Sequence, residues 1–423
     1  MKDNRFYPCD RLASETLPFV SLMVPPLTLP RVAWFTKIKP TVLVLSCLLA
    51  LSSCAKEDWE RVAEPLRETV IARAQADLEA ERVTVTASHS DRSAGGVHDF
   101  FSQADYFWPD PANPDGPYKG RDGQTNPDNF NDHRLAMIRF SQIVGELTSA
   151  WLLTGEQRYA DAVVPHLRAW FMDEDTYMAP HLLYSQAVLH RDTGRSIGII
   201  DGIHLMEVAQ SVRRLEQAGA IPKDVTEGTK AWFGRFVEWL TTHPYGIAEM
   251  RAANNHGTCW AMQVACFARL TGNQEVMDMC RSRFKEVFIP NQMAPDGSFP
   301  METSRTKPYG YSLFNLDALA TLCQTLSTPE DDLWEFVSPE GNTMLKALEF
   351  IFPYVQDKGR WPLRQDIMYW DQWPVAQPFL IFAWWHFRSE TSLLDTWTKL
   401  DHFPTNQEVI RNLPVRNPLL WLE

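Results

Sequence analysis

The sequence is poor in the features that mark several common protein classes. Its 423 residues include seven cysteines: Cys9, Cys47, Cys54, Cys259, Cys266, Cys280 and Cys323. None forms a Cys-x-x-Cys pair and no histidine stands at finger spacing, so neither a zinc site nor a disulfide framework is indicated. No metal and no cofactor is expected, and Cys259, Cys266 and Cys280 read as buried helical thiols. Basic excess is also lacking, since 40 Lys and Arg stand against 53 Asp and Glu, a net charge of −13. A nucleic-acid binder needs a basic face, so no nucleic-acid partner is expected. An anionic substrate remains open, because it requires only a local positive cleft. No Gly-, Ser- or Pro-rich linker divides the helical segments, and strand-like alternation is weak throughout.

What is present is apolar and aromatic. Hydrophobic residues make up 45% of the chain, enough for a large core, and there are 16 Trp, 23 Phe and 11 Tyr. Most such rings belong to cores. A ring exposed in a cleft instead offers a flat apolar face to a sugar.

The amino terminus reads as an address. Lys37 and Lys39 precede the run PTVLVLSCLLALSSC at 40–54, which is too short for a stable membrane span but suited to a secretory signal. Leu51-Ser-Ser-Cys54 resembles a bacterial lipobox. The expectation is a mature chain beginning at a lipidated Cys54, located in the periplasm or at the outer membrane and touching the membrane only through its acyl chains. Ordinary cleavage and periplasmic release is the alternative. The polar, Pro-containing lead before residue 37 points to a true start further downstream. Residues 55–423 are expected to form one catalytic domain.

Helical periodicity begins at 59–83, where Val62, Leu66, Val70, Ala74 and Leu78 form a stripe. An aromatic, Pro- and Asp-rich stretch from His98 to Pro127 reads as a long ordered loop. Helices are then predicted over 134–153, 157–171, 200–218, 224–242, 256–270, 313–326, 344–354 and 378–387, with a loop at 178–195. Leu153-Thr-Gly and Leu270-Thr-Gly each put a glycine just past a helix, as in the turn of a helical hairpin. Repeated hairpins of this kind suggest an all-α fold, an incomplete α/α toroid of about six to seven hairpins with long loops on one rim.

Two segments carry chemistry. Arg251-Ala-Ala-Asn254-Asn255-His256-Gly257 opens a helix, and Asn there could be a plain cap. Glu302-Thr-Ser-Arg305-Thr-Lys307-Pro-Tyr309-Gly-Tyr311 could be a surface loop with a weak Glu–Arg pair. Together they fit β-elimination from a 4-linked uronic acid. That reaction needs the carboxylate neutralised, a base for the C5 proton and an acid for the leaving O4. Asn and Arg suit the first task, and Tyr and His suit the others.

The chain resembles the alginate-lyase-like superfamily, most closely polysaccharide lyase family 38, whose members act on alginate or glucuronan. The resemblance covers about 98–315. It rests on Tyr106-Phe-Trp-Pro-Asp-Pro, Asp115-Gly-Pro-Tyr, Arg121-Asp-Gly, Leu153-Thr-Gly, Ala169-Trp-Phe, Tyr184-Ser-Gln186, Gly194-Arg195, Asn254-Asn255-His256, and Arg305 with Tyr311. It implies an α/α toroid acting on an anionic uronate polysaccharide without a metal. Asn255 and Arg305 would neutralise the carboxylate, Tyr311 would be the acid, and His256 the base or its helper. Where the C5 proton and O4 share a face, one Tyr could serve as both base and acid; where they are opposed, His256 and Tyr311 would divide the work. Tyr309 is the rival of Tyr311. Tyr184, Gln186, Arg195 and Asn254 would line the cleft, Trp108 would offer a sugar platform, and Glu302 would orient Arg305. One departure stands out: Gly257-Thr258 follow the Asn-His pair where the older alginate-lyase pattern has bulky residues, which bears on specificity.

Two other readings compete. A glycoside hydrolase would need two carboxylates flanking the bond, with Asp201, Glu249, Glu302 and Asp317 as candidates. A glycan-binding surface lipoprotein would fit the tryptophans and the lipobox, but gives no reason for Asn255, His256, Arg305 and Tyr311 to occur together.

Overall fold

The computed structural model describes residues 40–423, with side chains from residue 56. The chain divides into two units, Met1–Cys54 and Ala55–Glu423, and apart from the first turns of α1 the features below belong to the second. The lead, the signal run and Cys54 lie outside the residues whose side chains are described.

The helices are α1 (Pro40–Asp77), α2 (Asp132–Thr154), α3 (Gln157–Phe171), α4 (Leu205–Gln217), α5 (Lys223–Thr242), α6 (Pro244–Met250), α7 (Asn255–Thr271), α8 (Gln274–Arg283), α9 (Ile289–Gln292), α10 (Pro300–Thr303), α11 (Pro308–Leu326), α12 (Met344–Gln356), α13 (Pro378–Phe387), α14 (Thr391–Trp397) and α15 (Gln407–Arg411). Helices α2, α4, α7, α11 and α13 pack side by side in chain order. They form an inner layer, and α7 and α11 are buried around nearly their whole circumference. Helices α3, α5, α8, α12 and α14 pack outside them and bury one face each. In α3 that face is Tyr159, Val163, Leu167 and Trp170, and in α5 it includes Trp232, Phe236 and Leu240. This is the α/α toroid, with five inner–outer pairs among the described residues.

Gly155 and Gly272 both adopt the left-handed conformation (φ +71°) that ends α2 and α7. The predicted stripe of α1 is real: Val62, Leu66, Val70 and Ala74 are buried. That helix ends at Asp77, before the predicted 83. The segment read as one helix over 200–218 is a tight 3₁₀ run, Ser196–His204, leading into α4. Helix α11 starts at Pro308, five residues before the predicted 313, because proline has no N–H to lose in the first turn.

The aromatic loop forms two small ribbons on one rim. Strand β1 (Phe101–Gln103) runs parallel to β4 (Tyr184–Ala187), and β2 (Phe107–Trp108) antiparallel to β3 (Lys119–Gly120). Side chains complete the pairing: Asn129 Nδ2 donates to Ala104 O (2.7 Å), and Asn126 Nδ2 to Phe107 O (2.9 Å). At the chain end, Arg416 N and Asn417 N each donate to Glu207 Oε1 of α4 at 2.6 Å. This buried anchor brings α15 to the same rim.

Candidate active site

A cleft opens among these loops. It is lined by Asn255 and His256 from the start of α7, Arg305 from the turn after α10, and Tyr311 from the first turns of α11. Gln186 and Arg195 line it too, as do Asp105 and Tyr106 from the β1–β2 link, Phe107 from β2, Arg411 from the end of α15 and Asn412 just after it.

Each side chain is held from behind. Asn254 caps α7 by accepting from His256 N (3.3 Å), and its carbonyl accepts from Gln292 Nε2 (3.1 Å). The cap turns Asn255 into a buried cradle where Glu302 accepts from its backbone N (2.8 Å) and from Nδ2 (2.5 Å). One hydrogen of the Asn255 amide remains for a ligand. Glu302 therefore orients Asn255 and not Arg305, whose partner is Asp122: Nη2 to Oδ1 at 2.6 Å and Nε to Oδ2 at 3.2 Å.

His256 Nδ1 lies 2.5 Å from Glu249 Oε1 of α6. A carboxylate can only accept, so Nδ1 carries the proton and the free lone pair sits on Nε2. Burial pushes the His256 pKa down, but the Glu249 charge and hydrogen bond push it up more strongly, so the net shift is upward.

Tyr311 donates to Tyr106 Oη (3.2 Å) and receives from Arg305 Nη2 (3.4 Å), whose guanidinium lies 4.5 Å over the Tyr311 ring. Burial raises the Tyr311 phenol well above its ordinary range, and Tyr106 adds to this. Lys307 and Arg305 pull the other way and lose. The resting phenol is protonated at neutral pH. Tyr106 is raised chiefly by burial and then by Glu408.

Arg195 donates from Nε to Gln186 O (2.8 Å) and lies 4.8 Å over the Phe107 ring. Among the described residues it makes no ion pair. The other cleft cations are matched: Arg305 by Asp122, and Arg411 by Asp105 (3.1 Å) and Glu408 (2.8 Å). Gln186 is buried, with φ +47° and Nε2 on Asp201 (3.3 Å).

Several expected site residues do not reach the cleft. Tyr309 is fully buried, its hydroxyl on Tyr354 O (3.0 Å) and its ring against Trp361. Two positions along a helix are about 200° apart, so Tyr309 and Tyr311 cannot share a face. Trp108 is turned to Gln124 O (3.0 Å) and packed by Arg121. Tyr184 sits against Gly95 and His181, and Asn254 is spent as the cap. His181 pairs with Asp99 (3.2 Å), and His190 stands in a second, outer hollow with Arg191.

The hydrolase candidates are all engaged. Glu249 and Glu302 serve His256 and Asn255. Asp201 is bound by Ser102 (2.5 Å) and Arg134 (3.4 Å), and Asp317, buried in α11, accepts from Phe379 N (3.0 Å). None lines the cleft. Among the described residues no group of His, Cys, Asp and Glu could hold a metal, and Cys259, Cys266, Cys280 and Cys323 are free and buried.

Sequence reasoning missed Tyr106, Asp122 and Arg411. The first two stood inside quoted motifs. Arg411 carries no local signal, since tertiary contacts, its pairing with Asp105 and the Glu207 anchor of the residues that follow it, bring it to the rim.

Comparison with known proteins follows the same line. The family model described as alginate lyase matches residues 84–361. Among solved structures, an alginate lyase from Bacteroides ovatus superposes with a TM-score of 0.71 at 30% identity, covering 85% of this chain and 97% of that one. Alginate lyase A1-III from Sphingomonas species A1 gives a TM-score of 0.47 at 17% identity, covering 77% of this chain and 88% of that one. No curated protein sequence matches.

Proposed function

This chain belongs to the alginate lyase family, and from that premise we propose how its cleft works. It is a polysaccharide lyase acting on an anionic uronate polymer of the alginate type. The observation that carries the mechanism is that Asn255, His256, Arg305 and Tyr311, from two distant segments, line one cleft.

The uronate carboxylate meets the free hydrogen of the Asn255 amide and the Arg305 guanidinium, which take up negative charge as it builds. Where the C5 proton and O4 are opposed, as in guluronate, His256 Nε2 removes the C5 proton, with Glu249 strengthening the base as a carboxylate does behind a catalytic imidazole; where they share a face, as in mannuronate and glucuronate, base and acid must reach them from one side. The C5 electron pair forms the C4=C5 double bond, the C4–O4 bond breaks, and Tyr311 gives its proton to O4. A phenol held protonated at rest is suited to being the acid and poorly suited to being a resting base. Arg195, without a carboxylate partner among the described residues, binds a substrate carboxylate. Glucuronan and polymannuronate share this group and belong to the substrate class we propose. We propose further that the chain is exported and anchored through Cys54, on the strength of Lys37, Lys39, the apolar run and the lipobox-like Leu51–Cys54.

The test is absorbance of the unsaturated uronate on alginate, polymannuronate and glucuronan. Tyr311→Phe is expected to lower kcat by about a hundredfold or more. Arg195→Gln is expected to raise KM and spare most of kcat. Retained lysis in Tyr311→Phe would refute the mechanism, and chain cleavage without absorbance would point to a hydrolase.

A further inference from the structure

Lys307 is a buried cation that the mechanism above does not use. Its Nζ donates to Glu408 Oε1 (2.6 Å) and to Tyr106 Oη (2.9 Å). The same ammonium lies 5.0 Å from the Tyr106 ring, 5.3 Å from the Tyr311 ring and 5.5 Å from the Tyr369 ring. A buried ammonium is costly to desolvate unless it is paired. Glu408 supplies that pairing and is itself held by Arg411 (2.8 Å). Glu408 stands in α15, beyond residue 361, where the family-model match ends.

The hydrogen bonds of this group run in one direction. An ammonium has no lone pair, so Tyr106 Oη must accept from Lys307. Tyr311 also donates to Tyr106 while it is protonated, which leaves the Tyr106 hydrogen facing Glu408, 3.5 Å away. When Tyr311 passes its proton to O4 and becomes a phenolate, the Tyr106 hydroxyl is free to turn its hydrogen onto it. The new anion then meets a hydrogen bond and a fixed positive charge near its ring. Both contacts strengthen as charge develops, which is the condition for lowering a barrier and not merely for binding.

We propose that Lys307, anchored by Glu408, is a positioning residue for the elimination: it holds Tyr106 as the switchable partner of Tyr311 and supports the transient Tyr311 phenolate. This rests on Tyr311 being the acid.

Steady-state kinetics on the full chain test it with Lys307→Met, Lys307→Arg, Tyr106→Phe and the Lys307→Met/Tyr106→Phe double variant. Lys307→Met is expected to lose about tenfold or more in kcat, with KM within about twofold and recovery of most of the loss in Lys307→Arg. The double variant is expected to be little slower than the worse single one, since both act on one bond. A loss carried by KM, losses that multiply in the double variant, or an unchanged kcat would overturn the inference. Should Lys307→Met fail to fold, Glu408→Gln replaces it: a kcat loss at unchanged KM supports the role and a wild-type kcat refutes it. Tyr311→Phe separates the levels. If that variant is inactive while Lys307→Met is at wild-type kcat, only the role of Lys307 falls; if Tyr311→Phe still cuts, the assignment of the acid falls first.

Discussion

At His256 two effects act on one ring. Burial favours the neutral imidazole, and Glu249 favours the charged one and prevails. A base must be neutral, so kcat/KM is expected to rise with pH through an apparent pKa above the ordinary imidazole value of about 6.5 and to fall as pH drops through it. Glu249→Gln removes the charge that raises this pKa. The acid limb should move to lower pH and the plateau should fall, and pH–rate profiles of the two proteins would show it. An acid limb that stays in place would assign it to another group. The same pair bears on stability with the opposite sense: its contribution is full below the unfolded-state pKa and is lost as pH rises through the folded one. The Asn-Asn-His triplet was legible as a candidate only beside the Arg305–Tyr311 segment, since alone it also fits a plain helix cap. The choice of Tyr311 over Tyr309 came from the resemblance alone, because the residues themselves do not show where α11 begins. With the start at Pro308 the two residues point to opposite sides, and only Tyr311 faces the cleft.

The element that matters most is the first turn of α7. Asn254 caps it, and Gly257 lets it pack beneath the end of α6. A Cβ on Gly257 would stand 2.1 Å from the carbonyl oxygen of Ala252, a backbone atom that cannot swing aside. Glycine at 257 is thus a packing requirement of this turn, which accounts for the departure from bulkier residues without invoking the substrate. Gly257→Ala is expected to shift the turn that carries Asn255 and His256, lowering kcat severely and lowering the melting temperature. Asn254→Ala removes only the cap and should cost about 1 kcal/mol of stability, with a smaller loss of activity. Thermal melts alongside the lyase assay would check both. If Gly257→Ala keeps full activity, the turn tolerates the shift and the packing account fails. Most helices were legible through their spacing; the ribbons β1–β4 and β2–β3 were not, because strands this short have no period to read and are completed by Asn126 and Asn129 side chains.

At the scale of the molecule, a net charge of −13 coexists with a cleft carrying Arg195, Arg305 and Arg411. Sequence sign therefore spoke against nucleic acid but could not exclude an anionic polymer. Export is a whole-chain property as well: labelled palmitate fed to cells should enter the wild-type chain and be absent from Cys54→Ala, and labelling that persists would place the acyl group elsewhere. Composition and periodicity determined an all-α chain with a large core, since burial of apolar stripes depends on local spacing alone. The motifs singled out Asn255, His256 and Arg305 as candidates and pointed to the reaction type, since each task in the elimination demands a particular functional group. Only the tertiary structure decided which groups meet. It gave Glu249 to His256, Glu302 to Asn255 and Asp122 to Arg305. It buried Tyr309, and it carried Glu408 and Arg411 from the far end of the chain to Tyr106 and Lys307. These pairings join residues that are distant in sequence, and their energies depend on separations of a few ångströms that no local pattern encodes.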